Sequence, residues 1–413
     1  MSRQAENGGQ RLAPLPKGWR ATRVKRICSM HSGDHIAGDE ICEEGEFPVY
    51  GGNDLRGYYP KYNCEGPMLI VGRQGALCGN VHRINGKFWA TEHALITTLT
   101  HFDNLDYLYY LFTDLNFNQY VSQSAAQPGL AASKILQVET VLPPRPEQER
   151  IAAFLDVKCA AVDKAIEVKR KQLQSVEPQW ANLLHNVTLR GIRPSRLQKT
   201  TNAIIEKIPV GWKLKRLRYI GRCQNGISKD GQYFGYGFPF VTYGDVYNNM
   251  ALPVVASGLV ESTENERIRY SVKRGDVFFT RTSETADEVG FSSVCLKTIP
   301  DATFAGFVIR VRPVTEDLLP EFAQYYFRNP FVSQYFAKEM MVVTRASLTQ
   351  DILKSLPVLI PPRDEQAQIA QYLGERRSYF DSLAANLRKQ IETLEQYRKS
   401  LIHEYVTGVR RVV

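Results

Sequence analysis

The sequence predicts an α+β chain: two mixed α/β globular segments separated by two long antiparallel coiled-coil helices, arranged as a pseudo-twofold internal repeat. Three observations predict it. An opening motif occurs twice, a proline-rich junction occurs twice, and a seven-residue apolar rhythm follows each junction. A chain of 413 residues is also long for a single core, at roughly 150 residues per domain. The expected boundaries are a globular segment over 1–143, a helix over 144–191, a second globular segment over 192–361 and a second helix over 362–413.

The repeat comes first, because overlooking one misassigns a fold. Leu15-Pro16-Lys17-Gly18-Trp19, with Arg23-Val24-Lys25-Arg26-Ile27 after it, returns 193 residues later as Ile208-Pro209-Val210-Gly211-Trp212 with Arg216-Leu217-Arg218-Tyr219-Ile220. Leu142-Pro143-Pro144-Arg145-Pro146-Glu147-Gln148 returns 218 residues later as Ile360-Pro361-Pro362-Arg363-Asp364-Glu365-Gln366. The offset grows by 25 residues, so the second globular segment carries extra length in its variable part. Loops tolerate such insertions and carry recognition.

Within 16–142 and 209–359, β-branched and aromatic runs predict strands at 68–71, 94–98, 276–280 and 304–311. Helices rich in aromatics are expected over 106–112 and 319–327, with their rings in the core. Polar and basic loops are expected at 50–59, 72–75, 83–87, 226–233, 242–245, 281–285 and 344–347. Arginine pairs with guanine and Asn or Gln with adenine in the major groove, and glycines let a backbone approach phosphates, so this loop chemistry suits base reading.

After the first junction, Leu155, Val162, Val176 and Leu183 fall on one seam row and Ile166, Leu173, Trp180 and Val187 on the other. After the second, Leu373, Phe380, Leu387, Leu394 and Leu401 recur at sevens beside Ala384, Ile391 and Tyr405, with Arg377 and Arg398 interrupting. Glu147 and Glu365 lie in first turns, where the helix dipole favours an anion, and Gly191 and Gly408 mark the ends. Each helix then spans about 65–70 Å, or about two turns of B-DNA. Pro178 removes a backbone donor and is expected to kink or open the first helix. Antiparallel pairing hides both seams and leaves two heads at opposite ends of one spacer.

Lys and Arg number 52 against 43 Asp and Glu, a net +9 that favours a polyanionic partner. The 43% hydrophobic content excludes a disordered chain. No run approaches the ~18 apolar residues of a membrane helix and the N-terminal stretch has no apolar leader, so no membrane partner is expected and the cytoplasm is the default. Seven cysteines without a CxxC pair are expected to be reduced thiols, and Cys28, His31, His35 and Cys42 lack standard ligand spacing, so no metal is expected. No GxxxxGK[ST] loop occurs; Gly235-Tyr236-Gly237 lacks the third glycine of a dinucleotide fingerprint, and Asn329-Pro330-Phe331 is only a fragment of an amino-methylating loop. Asp163, Glu167 and Lys169 are read as a surface pairing on one helix, and His185 and His403 as equivalent packing or capping residues. No catalytic set and no cofactor is expected.

The duplicated junctions, the Pro-x-Gly-Trp openings, the endings Leu183-Leu184-His185 and Leu401-Ile402-His403, and Phe88-Trp89-Ala90-Thr91-Glu92-His93-Ala94-Leu95 resemble the specificity subunit of type I restriction-modification systems, over almost the entire chain. The resemblance implies that each globular segment is a target recognition domain reading half of an asymmetric bipartite site on double-stranded DNA. It further implies that the paired helices dock two methyltransferase subunits, that ATP-dependent restriction subunits join the full complex, and that this chain itself is non-catalytic. The residues expected to bind DNA are Asn53, Arg56, Lys61, Arg73, Gln74, Arg83 and Lys87 in the first segment, and Lys229, Tyr243, Arg281 and Arg345 in the second. Two other readings compete: a specificity fragment of a fused restriction-methylation enzyme, and a coiled-coil scaffold that ignores DNA.

Overall fold

The computed structural model describes residues 15–412 apart from 53, 76–77, 122–128, 203, 284–288 and 341–345. The chain divides into two compact units, Met1–Arg170 with Arg388–Val413, and Lys171–Leu387. The division runs through both long helices, so each unit owns a globular part and half of each helix.

Unit 1 is built on an antiparallel sheet in the order Cys28–Ser32, Ala94–Leu99, Met68–Gly72, Val81–Ile84. Its two central strands bury Leu69, Val71 and Leu95 against Tyr107, Leu108, Leu111 and Phe112 of the helix Leu105–Asp114, so the aromatics of that helix are core residues as expected. A second sheet, Leu55–Tyr59, Phe47–Tyr50, Lys87–Ala90, Cys64–Glu65, holds one parallel pair in which Val49 meets Trp89. Arg20–Arg23 pairs with Glu139–Leu142 and ties the opening motif to the junction before the first long helix.

Unit 2 repeats this plan. Its main sheet runs Gly221–Asn225, Val308–Pro313, Val277–Thr280, Ser292–Val294, and its second sheet joins Gly258–Val260, Phe234–Val241 and Thr303–Phe304. The parallel pair recurs as Val241 against Phe304, and the tie to the junction recurs as Lys213–Arg216 against Pro357–Ile360. The helix Pro320–Tyr326 fills the place of Leu105–Asp114, with Phe322 and Tyr326 fully buried. The extra length can be located by matching hydrogen bonds: the offset is 193 at Gly33 and Gly226, 208 at Gly72 and Thr280, 214 at Ala94 and Val308, and 218 at Leu130 and Leu348. Most of the insertion therefore lies between the first two strands of the main sheet.

The long helices are Arg145–Arg190 and Arg363–Val406. Pro178 stands inside the first, and the helix runs on past it to Arg190. Gly191 and Gly408 follow the ends with φ of +83° and +78°, a left-handed turn that favours glycine. Within unit 1 the halves run antiparallel: Phe154 packs on Tyr405, Asp163 accepts from Arg398 at 2.8 Å, and Arg170 donates to Glu395 at 2.8 Å. Within unit 2, Trp180 packs on Phe380 and Arg377 meets Glu177 at 3.4 Å. Asp163 is thus paired across the seam, where the sequence suggested a pairing along its own helix.

Of the expected seam residues, Leu155, Val162, Ile166, Val176, Trp180, Leu373, Leu387 and Leu401 are buried, and Leu173, Leu183, Phe380, Ile391 and Leu394 are half-buried. Leu184, beside Leu183, goes deeper, into the core of unit 2. The expected strand 304–311 is two strands, Thr303–Phe304 and Val308–Pro313, divided by a tight turn in which the Val308 N–H donates to the Ala305 carbonyl at 3.0 Å. The expected loops 50–59 and 83–87 also contain strand, since Arg56 stands on Leu55–Tyr59 while Arg83 and Lys87 stand on Val81–Ile84 and Lys87–Ala90, strands of different sheets joined at Asn85 and Gly86.

The two opening tryptophans explain the duplicated glutamates. The Trp19 indole donates to Glu147 at 3.2 Å and Trp212 donates to Glu365 at 2.9 Å. Gln148 and Gln366 each close the same loop, accepting from the Asn104 and Leu319 N–H at 2.8 Å and donating to the Pro143 and Pro361 carbonyls. Glu147 also takes Arg411 at 3.1 Å, so this first-turn carboxylate is a latch as well as a helix-dipole partner. His403 meets Asp114 at 3.1 Å, and His185 meets Asn329 at 3.1 Å in the equivalent place.

Candidate nucleic-acid interface

Arg73 and Arg281 occupy the same place in the two units. Each follows the central strand of its main sheet, immediately after Gly72 and Thr280. The Arg73 N–H donates to the His93 carbonyl at 2.8 Å, and the Arg281 N–H donates to Phe307 at 2.9 Å. The carbonyls are held as well, accepting from Leu130 at 2.8 Å and from Leu348 at 2.7 Å. A backbone fixed at both its donor and its acceptor gives each arginine a rigid base.

The frame around each arginine also repeats. Gly33 donates to the Ala94 carbonyl at 3.1 Å, and Gly226 donates to Val308 at 3.2 Å. A Cβ at either glycine would stand 2.1 or 2.2 Å from a carbonyl oxygen of the facing segment, Ala90 or Ala305, so only glycine fits this crossing. Opposite it, the turns Thr91 to Ala94 and Ala305 to Val308 each close with a 3.0 Å hydrogen bond. The third residue of the turn, His93 or Phe307, is the one whose carbonyl holds the arginine.

The side chains placed on this shared frame differ. In unit 1 the Arg73 guanidinium donates to Ser32 Oγ at 2.8 Å and to the Glu92 carbonyl at 3.4 Å. Glu92 accepts from His35 at 3.0 Å and lies 3.4 Å from His93. Burial pushes the Glu92 carboxyl up, but backbone and histidine hydrogen bonds outweigh it and hold the group below the usual glutamate range. In unit 2 the turn carries Gly306 and Phe307, and Phe307 is 64% exposed.

The other expected residues divide by their surroundings. Arg56 and Lys61 are exposed and make no ion pair among the described residues. Lys87 lies 4.5 Å from the centre of the Tyr62 ring. Gln74 is half-buried and bridges to Gly129 next to Arg73. Arg83 is turned toward unit 1 itself, pairing with Asp106 at 2.6 Å and Asp156 at 3.3 Å. Lys229 is similarly engaged, by Glu266 and the Glu261 carbonyl. Tyr243 stacks on Tyr247 at 5.8 Å in a short helix whose end is held by half-buried Arg328, which donates to the carbonyls of Val246, Tyr247 and Asn249. Burial lowers the Arg328 guanidinium to about 10. Asn53 and Arg345 lie outside the described residues. Sequence reasoning missed His35, Glu92, His93 and Phe307 as neighbours of the two arginines, because sheet register and not spacing brings them there.

Among the described residues no group of His, Cys, Asp or Glu could hold a metal ion, and no helix is long and apolar enough to cross a membrane. All seven cysteines are free thiols, and burial pushes Cys28 up to about 12.

A family model described as the type I restriction modification DNA specificity domain matches residues 16–178 and 209–396. The chain is 41% identical over 148 residues to the type I restriction enzyme EcoprrI specificity subunit of Escherichia coli, covering 35% of this chain and 37% of that protein. It is 24% identical over 271 residues to the EcoKI specificity subunit of Escherichia coli, covering 65% of this chain and 56% of that one. The matched parts thus span well under two thirds of these curated relatives. A solved chain from work on complex assembly and conformational transition of the type I R-M system superposes with a TM-score of 0.71 at 15% identity, covering 96% of this chain and 99% of its own. The crystal structure of an HsdS subunit from Thermoanaerobacter tengcongensis gives 0.55 at 15% identity, covering 95% and 98%. At that identity the likeness speaks for the fold.

Proposed function

The chain belongs to the type I restriction modification DNA specificity family, and from that premise we propose that it is the specificity subunit of such a complex, reading an asymmetric bipartite site on double-stranded DNA. The observation that carries this reading is the pair Arg73 and Arg281: one backbone frame, made twice, carries an arginine at the same place among different neighbours. Two arginines so placed suit guanine or phosphate, and the dissimilar surroundings suit two dissimilar half-sites. Arg56, Lys61 and Lys87 add exposed positive charge for the backbone in unit 1.

In this reading the long helices set the spacing between half-sites and dock two methyltransferase subunits, and restriction subunits complete the assembly. The chain positions other subunits on DNA and carries no catalytic group of its own, at work in the cytoplasm. The test is to map adenine methylation in host DNA with and without the gene. Loss of one split motif supports the proposal. An unchanged methylation map, together with failure of the chain and its methyltransferase partner to retain any duplex at low salt, would favour a scaffold indifferent to DNA. Methyl transfer by the purified chain alone would favour a fused enzyme.

A further inference from the structure

We propose that Phe307 is a specificity-determining residue of unit 2 that reads the 5-methyl group of a thymine; the inference rests on the DNA-binding reading of Arg281. Phe307 is 64% exposed although the backbone on both sides of it is hydrogen-bonded. Its carbonyl holds the Arg281 N–H at 2.9 Å, and the Val308 N–H closes the turn on Ala305. The preceding Gly306 is packed so closely that a Cβ there would stand 2.3 Å from Ser228 Oγ. An exposed ring on a mobile loop would need no account, since single apolar residues are common on surfaces. A ring held out from a rigid turn, one residue from a pair of main strands and beside a base-reading candidate, is preorganised for contact.

The repeat sharpens the chemistry. The equivalent turn in unit 1 presents His93, 3.4 Å from Glu92, so the unit 1 turn carries polar side chains where the unit 2 turn carries a phenyl ring. A phenyl ring cannot accept or donate in the plane of a base edge. In the major groove the one apolar feature that distinguishes a base pair is the thymine methyl, and phenylalanine is among the side chains that contact it.

The test uses the full chain assembled with its methyltransferase partner and a duplex carrying the mapped target, with each thymine of both half-sites replaced in turn by deoxyuridine, which removes only the methyl. At one position the replacement is expected to weaken binding about fourfold, the effect of exposing one buried methyl. F307A is expected to bind the thymine and uracil duplexes equally at that position, F307L to keep most of the difference, and H93A to leave it unchanged. Equal methyl sensitivity in F307A and the unsubstituted protein overturns the proposal, as does the absence of any sensitive thymine. So does a loss in F307A that is the same on both duplexes, which marks a ring wedged between bases or packed on sugar. Failure of the unsubstituted complex to bind the mapped duplex would instead overturn the DNA-binding reading itself.

Discussion

At equivalent points of the two long helices, 218 residues apart, stand Trp180 in unit 2 and Arg398 in unit 1. Trp180 is buried against Phe380 and Tyr325, with Arg377 over its ring. Arg398 instead donates to Asp163, which is half exposed. At this point of the seam one scaffold therefore carries an aromatic plug in one unit and an ion pair in the other. The backbone repeat is preserved by what both units share, the tryptophan-to-glutamate latch and the glutamine-closed loop, while the seam is free to vary.

Substitution should expose that difference, most strongly at the plug. Trp180→Ala removes a fully buried indole and should cost unit 2 about 3–5 kcal/mol, read by chemical denaturation. A loss below about 1 kcal/mol would mean that the aromatic plug is not what holds the seam of unit 2. The arginines should separate the units by function: Arg73→Ala and Arg281→Ala should each weaken specific DNA binding by about 1–3 kcal/mol if the contact is to a base, with target choice relaxed in one half only. Unchanged affinity and unchanged target choice would remove that residue from the interface. Arg398→Ala should cost only about 0.5–1 kcal/mol, because its partner is half exposed, and that cost should shrink in high salt while the Trp180 effect does not.

The smallest effect concerns the helix-end histidines, which face Asp114 in unit 1 and Asn329 in unit 2. Burial raises the Asp114 carboxyl above its ordinary 3.8, with His403 opposing it. A raised folded value means the native state holds its proton longer than the unfolded chain. The contribution of Asp114 to stability is therefore greatest in acid and is lost as pH rises through the raised value. Asp114→Asn copies the unit 2 arrangement and should flatten that segment of the stability profile without opening unit 1. A profile identical to the parent's would show that Asp114 titrates alike in both states.

Much of the scaffold was legible because its signals are local. Heptads, first-turn glutamates and the terminal Gly191 and Gly408 fix two long helices by spacing alone, and the duplicated motifs announce two similar globular parts. The tight turn that divides 304–311 was hidden inside a continuous apolar run, where Gly306 was the only punctuation. Pro178 marked no helix end, since the 46-residue helix continues past it. Arg73 and Arg281 could be named from loop chemistry, but not their equivalence, which depends on strand register across residues 28–130 and 221–348. The same holds for Glu147 and Trp19, which lie 128 residues apart in sequence and touch only in the fold.

The most direct measurement is the methylation map of host DNA carrying this chain with its partner, compared among the parent, Arg73→Ala and Arg281→Ala. The account predicts a split motif in which one substitution loosens the bases of one half and the other loosens only the opposite half. A single uninterrupted motif, or two substitutions that loosen the same bases, would contradict it.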